Sequence, residues 1–292
     1  MTSAAESAVM IGQLTDTHVV ASDPSVVDAE LYVDNNDRLR RAVASIVEEP
    51  VPVAAVVATG DLTNDGRPEE YDAVVELLAP ISDRVLALPG NHDDPDELRR
   101  RLPTTPWADT EHASWHTVIA GVRIVGLDST RRGPNGPEHG GAVDTDRLTW
   151  LDRVLAVPHD GLTLLAMHHP PFASGIWWMD RDGFDGADQL AEVLRDRKVD
   201  RIMCGHLHRP MSSMFAGTIA QVGMSTVHHV GPDFVPGRDV TVADDPVGYQ
   251  LLRVTAADAF SHGNGGATAV LHHRYIEPFA APIVPEWADQ YR

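Results

Sequence analysis

From residue 8 onward the chain alternates two hydrophobic patterns. Short, nearly continuous apolar runs at AVMIGQL (8–14), VAAVVAT (53–59), RVLAL (84–88), VRIVGLD (122–128), LTLLAM (162–167) and RIMC (201–204) predict strands. Between them, apolar residues recur at i, i+3 and i+4 in NDRLRRAVASIVEE (36–49), EEYDAVVELLA (69–79), DELRRRL (96–102), DTDRLTWLDRVLA (144–156) and ADQLAEVLRDR (187–197). These predict amphipathic helices, and Pro68 and Asp144 supply start signals for two of them. Strand–helix alternation of this kind predicts an α/β protein with its sheet buried between helices.

Near residue 210 the pattern changes. SSMFAG, TIAQVG, GYQLLRV and TAVLHHRYI read as strands joined by turns, with no good helix between them. They predict that residues 210–292 form a second, β-rich layer within a single domain spanning 1–292. GRDVTVADDP (237–246) and SHGNGGA (261–267) read as exposed loops, and no internal repeat or low-complexity linker interrupts the chain.

Charge narrows the range of partners. Against 23 Lys and Arg stand 43 Asp and Glu, a formal net charge of −20. That field repels a polynucleotide or an anionic membrane, and it repels a small phosphate ester too unless something locally positive draws it in. The basic clusters RLRR (38–41) and RRR (99–101) lie on helix faces, so a bound metal is the better source of that charge. No apolar stretch approaches the roughly 20 residues that span a bilayer. MTSAAESAV at the start lacks the basic region and apolar core of a secretory signal, so the expected compartment is cytoplasmic. The single cysteine, Cys204, excludes an intramolecular disulfide and a cysteine-based zinc cluster; its setting in RIMCGH suggests a buried strand residue. Apolar residues in the C-terminal strands leave a homo-oligomer open.

The chemistry-bearing residues gather at strand ends. The run 8–14 leads into TDTH (Asp16, His18), 53–59 into GDLTND (Asp61), 84–88 into PGNHDD (Asn91, His92), 162–167 into HHPP (His168, His169) and 201–204 into GHLH (His206, His208). Functional groups in open α/β sheets collect at the carboxyl ends of strands, so five parallel strand ends would bring these side chains together. Each cluster alone has a bland reading. Asp-x-His suits a helix cap with a surface histidine, Gly-Asp a turn, Asn-His beside aspartates an Asx-turn, and His-His-Pro-Pro a strand stop. Their order along an alternating chain is what argues against accident.

Taken together, Asp16-x-His18, Gly60-Asp61, Gly90-Asn91-His92-Asp93, His168 in HHPP and Gly205-His206-x-His208 closely resemble the calcineurin-like metallophosphoesterase family. The motifs span residues 16–208 and match at every expected ligand position. This resemblance implies a four-layer α/β/β/α sandwich of two mixed sheets. It also implies two metal ions, Fe, Mn or Zn, a set that suits mixed imidazole, carboxylate and amide-oxygen ligands. One metal would be held by Asp16, His18, Asp61 and His208, the other by Asp61, Asn91, His168 and His206. Asp61 would bridge, a role suited to a carboxylate with two free oxygens. A metal-bridging hydroxide would then attack phosphorus in line with the leaving alkoxide. His92 would stay off the metals, as a donor to the phosphoryl group or leaving oxygen, with holding Asp16 or the loop in place as its alternative. Asp93 would orient the turn, Asn64 would reach a phosphate oxygen or cap a helix, and His169 would pack. A non-catalytic scaffold on the same fold should lack a ligand, and none is missing.

Substrate is read from HHPPFASGIWWMDRDGFDGADQL, whose layout resembles the class III cyclic-nucleotide phosphodiesterase branch and its glycerophosphodiesterase relatives. Trp177 and Trp178 lie in a glycine-bounded loop, where an indole could stack on a nucleobase or simply pack the loop down. His228 and His229 in STVHHVGPDF are further pocket candidates. The expected activity is hydrolysis of a small phosphodiester, with a 3′,5′-cyclic nucleotide first. A glycerophosphodiester or other alkyl diester comes next, and a monoester third.

Overall fold

The computed structural model describes residues 8–21, 34–134, 136–243, 245–255 and 268–276. Strands β1 (Ala8–Leu14), β2 (Val53–Thr59) and β3 (Val85–Leu88) run parallel, joined by helices α1 (Asn35–Val47) and α2 (Pro68–Leu78). Helix α3 (Pro95–Arg101) leads to the hairpin of β4 (Trp115–Ile119) and β5 (Val122–Gly126). After β6 (Thr130–Gly133) and β7 (Gly136–Ala142) come α4 (Thr145–Ala156), β8 (Thr163–Ala166), β9 (Phe184–Asp185), α5 (Ala187–Arg195) and β10 (Arg201–Cys204). The chain continues through β11 (Met211–Phe215), β12 (Thr218–Val222), β13 (His229–Val230), β14 (Val242–Ala243), β15 (Gly248–Thr255) and β16 (Thr268–Tyr275).

Two large mixed sheets form the sandwich, with two small sheets (β13-β14 and β6-β7-β9) beside them. Of the large pair, one has the order β16-β15-β1-β2-β3 and the other β11-β12-β10-β8-β5-β4. The central strands alternate their side chains between two apolar layers, as a period of two requires. Ala55 and Val57 of β2 meet Ile124, Leu164 and Met203 between the sheets. Their neighbours Val56 and Ala58 face outward to Leu39, Val43, Tyr71 and Val74 of α1 and α2. On the far side, Leu165 and Ile202 pack under Trp150, Leu151 and Leu190 of α4 and α5. The order of layers is therefore α/β/β/α.

Polar ties set how the sheets meet. The Trp115 indole N–H donates to the Ala87 carbonyl at 2.6 Å, and Gln13 Nε2 donates to Thr59 Oγ1 at 3.0 Å and to the Cys204 carbonyl at 2.8 Å. Both side chains are buried, where a lost partner costs about 1–3 kcal/mol. Helix starts follow the expected chemistry: Pro68 opens α2, and the Asp144 carboxylate accepts the Arg147 N–H at the start of α4.

The strands after residue 210 do not form a layer of their own. β11 and β12 extend the second sheet, while β15 and β16 extend the first, because antiparallel β15 covers the edge of β1 that β2 leaves open. Part of GRDVTVADDP pairs as β14 with β13; SHGNGGA (261–267) lies outside the described residues. Cys204 is buried. Among the described residues no helix is long and apolar enough to cross a membrane.

Candidate metal centre and active site

The carboxyl ends of β1, β2 and β3 in one sheet and of β8 and β10 in the other converge across the top of the sandwich. Beyond their strands the connecting loops stay laddered. The Asp16 N–H donates to the Gly60 carbonyl at 3.0 Å, His18 N–H to Asp61 at 3.0 Å, and Gly205 N–H to His168 at 2.8 Å. Other links cross the sheets; among them, the His206 N–H donates to the Asp16 carboxylate at 2.9 Å.

The backbone here is left-handed. Positive φ occurs at Asp16 (50°), His18 (40°), Asp61 (51°), His206 (72°) and His208 (54°). Among the described non-glycine residues only Ala120 and Ala216 share it, each just before the glycine of a hairpin turn. A side chain in this region costs about 1–2 kcal/mol per residue, and strain held by surrounding structure collects at functional sites. The glycines of the motifs answer to space as well. At Gly60 (φ 95°) a Cβ would fall 2.4 Å from His168 Nδ1, and at Gly205 it would fall 2.1 Å from Thr15 Oγ1.

Two groups of donor atoms emerge. In the first, ligand atoms of Asp16, His18 and His208 lie within 4.8 Å of one another. His18 Nε2 is 3.1 Å from His208 Nε2 and 3.7 Å from Asp61 Oδ2, and His208 Nε2 is 3.6 Å from Asp16 Oδ1. In the second, Asn91 Oδ1 is 3.2 Å from His168 Nε2 and 3.0 Å from His206 Nδ1, while His168 Nε2 is 3.3 Å from Asp61 Oδ2. Asp61 Oδ2 thus belongs to both groups. The expectation of two free oxygens needs correction: Oδ1 accepts the His92 backbone N–H at 2.9 Å, so a single oxygen lies between the groups.

The imidazoles are oriented from behind. His168 Nδ1 lies 2.7 Å from the Thr59 carbonyl and His208 Nδ1 lies 3.0 Å from the His228 carbonyl. A carbonyl oxygen only accepts, so each Nδ1 carries a proton; Nε2 of His208 then turns a lone pair inward, and Nε2 of His168 does so once it loses the second proton that Asp61 and Asp16 favour there. Buried lone pairs of imidazole, carboxylate and amide oxygen facing one another repel unless a cation or proton lies among them. This donor set fits divalent transition metals.

Electrostatics point the same way. Burial, with Asp61 adding, pushes Asp16 up to about 7, against the pull of His168. Asp61 is also buried, but His168 and His92 hold it well below the usual carboxylate range. Burial holds His18 and His206 well below the usual imidazole range and takes His208 down to about 4. At His168 burial is outweighed by Asp61 and Asp16, which lift it to about 9.

Around this centre His92 is half-buried, with its ring 4.7 Å from that of His18. Its Nδ1 lies 2.6 Å from the Asn64 carbonyl oxygen, which leaves Nε2 for other partners. Burial would lower its pKa, yet Asp61, the Asn64 carbonyl and Asp93 raise it. Asn64 caps no helix; its amide donates to Asp65 while its carbonyl orients His92. Asp93 braces two loops at once, accepting from the N–H groups of Leu62, Thr63 and Gly90 and from the hydroxyls of Thr63 and Tyr71. Asp94 caps α3. His169 stands beside Ser129 at 3.0 Å, and one of its nitrogens lies within 4.8 Å of donor atoms of His168 and His206.

Further out, Trp178 packs against the core beneath α4 and α5, and the Trp177 backbone N–H donates to the Asp233 carbonyl. Asp180 ties their loop together through Ser174 and Gly175. His228 places its ring 5.0 Å from that of His208, and His229 is buried in β13. One residue escaped the motif reading. His139 of β7 is exposed with its ring 5.4 Å from His206 and 6.5 Å from His92, at the rim of the centre. It sits in polar, glycine-rich GPEHGGA, and only the histidine itself could have drawn notice.

Residues 9–210 match the model of the calcineurin-like phosphoesterases. Among curated proteins, the chain is 33% identical over 245 residues to the "probable cyclic nucleotide phosphodiesterase" of Rhodopseudomonas palustris, covering 83% of this chain and 87% of that one. It is 29% identical over 276 residues to the "probable glycerophosphodiester phosphodiesterase" of Arcobacter nitrofigilis, covering 94% and 95%. Among solved structures, a dimetal phosphatase from Danio rerio superposes with a TM-score of 0.63 at 18% identity, over 84% of this chain and 94% of that one.

Proposed function

The chain belongs to the calcineurin-like phosphoesterase family, and on that premise we propose that it hydrolyses a small phosphodiester at a centre for two divalent metal ions. The observation that carries this reading is Asp61 Oδ2, set 3.7 Å from His18 Nε2 on one side and 3.3 Å from His168 Nε2 on the other. Asp16, His18, Asp61 and His208 would hold one cation; Asp61, Asn91, His168 and His206 would hold the second. Iron, manganese and zinc all suit these donors. Cations bound there would supply the charge that draws in a phosphoryl group and the acidity that makes water a nucleophile at neutral pH.

The remaining work falls to the chain. With Nδ1 committed to the Asn64 carbonyl, His92 offers Nε2 to the substrate, and the Asn64 carbonyl and Asp93 favour its protonated form. As the bond from phosphorus to the leaving oxygen breaks, that proton passes to the departing alkoxide. His139 at the rim is placed to contact a phosphoryl oxygen or the leaving group. Trp177 is the aromatic surface for a base; Trp178 supports the loop from beneath.

A 3′,5′-cyclic nucleotide is the lead substrate, in keeping with the Rhodopseudomonas relative. A glycerophosphodiester is the second reading, favoured by the end-to-end match to the Arcobacter protein. A hydrolysis screen of Mn-, Fe- and Zn-loaded protein against cyclic nucleotides, glycerophosphodiesters, bis(p-nitrophenyl) phosphate and monoesters decides. Turnover of monoesters without any diester would overturn the diesterase reading.

A further inference from the structure

At the opposite end of the second sheet lies a cavity of about 480 Å³ that the metal centre does not use. Arg123 stands next to Thr163 at the start of β8, whereas His168 follows the end of that strand. The cavity opens between β4, α4 and the turn after α4. It is lined by Arg123, Arg153, His116 and His159, with Trp150 and Val154 as apolar wall and Asp109 as the one carboxylate among its lining residues.

Arg123 is the anomaly. Its side chain is 6% exposed, yet among the described residues it makes no ion pair. Nε donates to Thr163 Oγ1 at 3.1 Å and Nη1 to the Val157 carbonyl at 2.7 Å, where it caps the end of α4. The helix end supplies partial negative charge but no full counterion. Asp200, whose field Arg123 feels, is engaged by the Thr163 N–H instead. No carboxylate contacts the guanidinium directly, and its second terminal nitrogen has no protein acceptor among the described residues. His159 Nε2 is also buried without a partner. Arg153 adds a second cation, exposed on α4. In a chain of net charge −20 this is a local reversal of sign.

We propose that this cavity is a second, non-catalytic binding site for a small organic anion. A phosphoryl or carboxylate group would pair with Arg123 and Arg153, and a flat apolar body would lie along Trp150 and Val154. The volume falls within the roughly 300–1,000 Å³ of pockets for molecules of that size. The site is built from residues outside the metal centre, so it stands whatever ester the enzyme cleaves.

The test is calorimetric titration of metal-loaded, full-length protein with phenylphosphonate, benzoate and 5′-AMP. The first two probes separate phosphoryl from carboxylate recognition, and the third adds a nucleoside body. Arg153→Glu reverses the exposed charge and Val154→Trp fills the cavity; both leave the metal centre untouched. The expected result is saturable binding of at least one probe, weakened about tenfold or more by each substitution, with unchanged diester hydrolysis. Absence of any saturable binding event that the two substitutions weaken overturns the proposal; an event that survives both and inhibits diester hydrolysis belongs to the metal centre.

Discussion

Replacing His92 with alanine removes one side chain whose position assigns it a single chemical task. Its Nδ1 faces a carbonyl oxygen at 2.6 Å, so the exchangeable proton resides on Nε2. Burial opposes protonation there, but Asp61, the Asn64 carbonyl and Asp93 outweigh it and lift the pKa above 6.5. A general acid of this kind is worth about 10²–10⁴-fold, or roughly 3–5 kcal/mol of barrier. That contribution depends on the leaving group. A sugar alkoxide departs poorly without a proton, whereas nitrophenolate departs well. His92→Ala should therefore lower kcat about 10²–10⁴-fold on a cyclic nucleotide or other alkyl diester, but less than about tenfold on bis(p-nitrophenyl) phosphate. Because the protonated form is the active one, the wild-type kcat should fall as pH rises through the pKa of His92, and this limb should vanish in the variant. Steady-state kinetics on both substrates across neutral pH, with metal analysis alongside, provide the assay. Equal losses on both substrates, or loss of metal from the variant, would refute the reasoning and return His92 to a bracing role.

Three further outcomes are expected. Asp93→Ala strands three buried N–H groups, of Leu62, Thr63 and Gly90, and should cost about 3 kcal/mol or more of stability; a thermal unfolding midpoint within a degree or two of wild type would contradict this. Metal affinity should rise with pH, because a cation must displace protons held by Asp16 (about 7) and His168 (about 9) but none from His208 (about 4). Chelator competition between pH 6 and 8 should show about a thousandfold gain, and a constant affinity would contradict the electrostatics. His139→Ala should raise KM by about tenfold while metal content holds; an unchanged KM would remove His139 from the substrate.

The boundary between what was legible in the chain and what was not follows the physics. The six apolar runs became β1, β2, β3, β5, β8 and β10 because buried strands leave an unambiguous hydrophobic signature. TRRG and GPEHGGA carry no such alternation, yet they pair as β6 and β7, held by backbone hydrogen bonds that composition does not announce. The strands after residue 210 were visible as strands, but not which sheet each would join. Partner choice is a property of open edges, not of the joining segment. Within the site, residue types and order were plain, and the convergence of the strand ends followed from parallel β topology. Left-handed backbone at five candidate ligands was not visible, since Asp and His do not advertise positive φ as glycine does. Nor was the anchoring of Asp61 Oδ1 by the His92 N–H, which depends on how two loops pack.

The central claim is that Asp61 Oδ2 joins two cation sites. It is tested most directly by anomalous diffraction from crystals of the manganese- or zinc-loaded protein. The account predicts two anomalous peaks about 3.5–4 Å apart, one beside His18 and His208 and the other beside Asn91, His168 and His206, with Asp61 Oδ2 between them. A single peak, or peaks that leave Asp61 unligated, would contradict it.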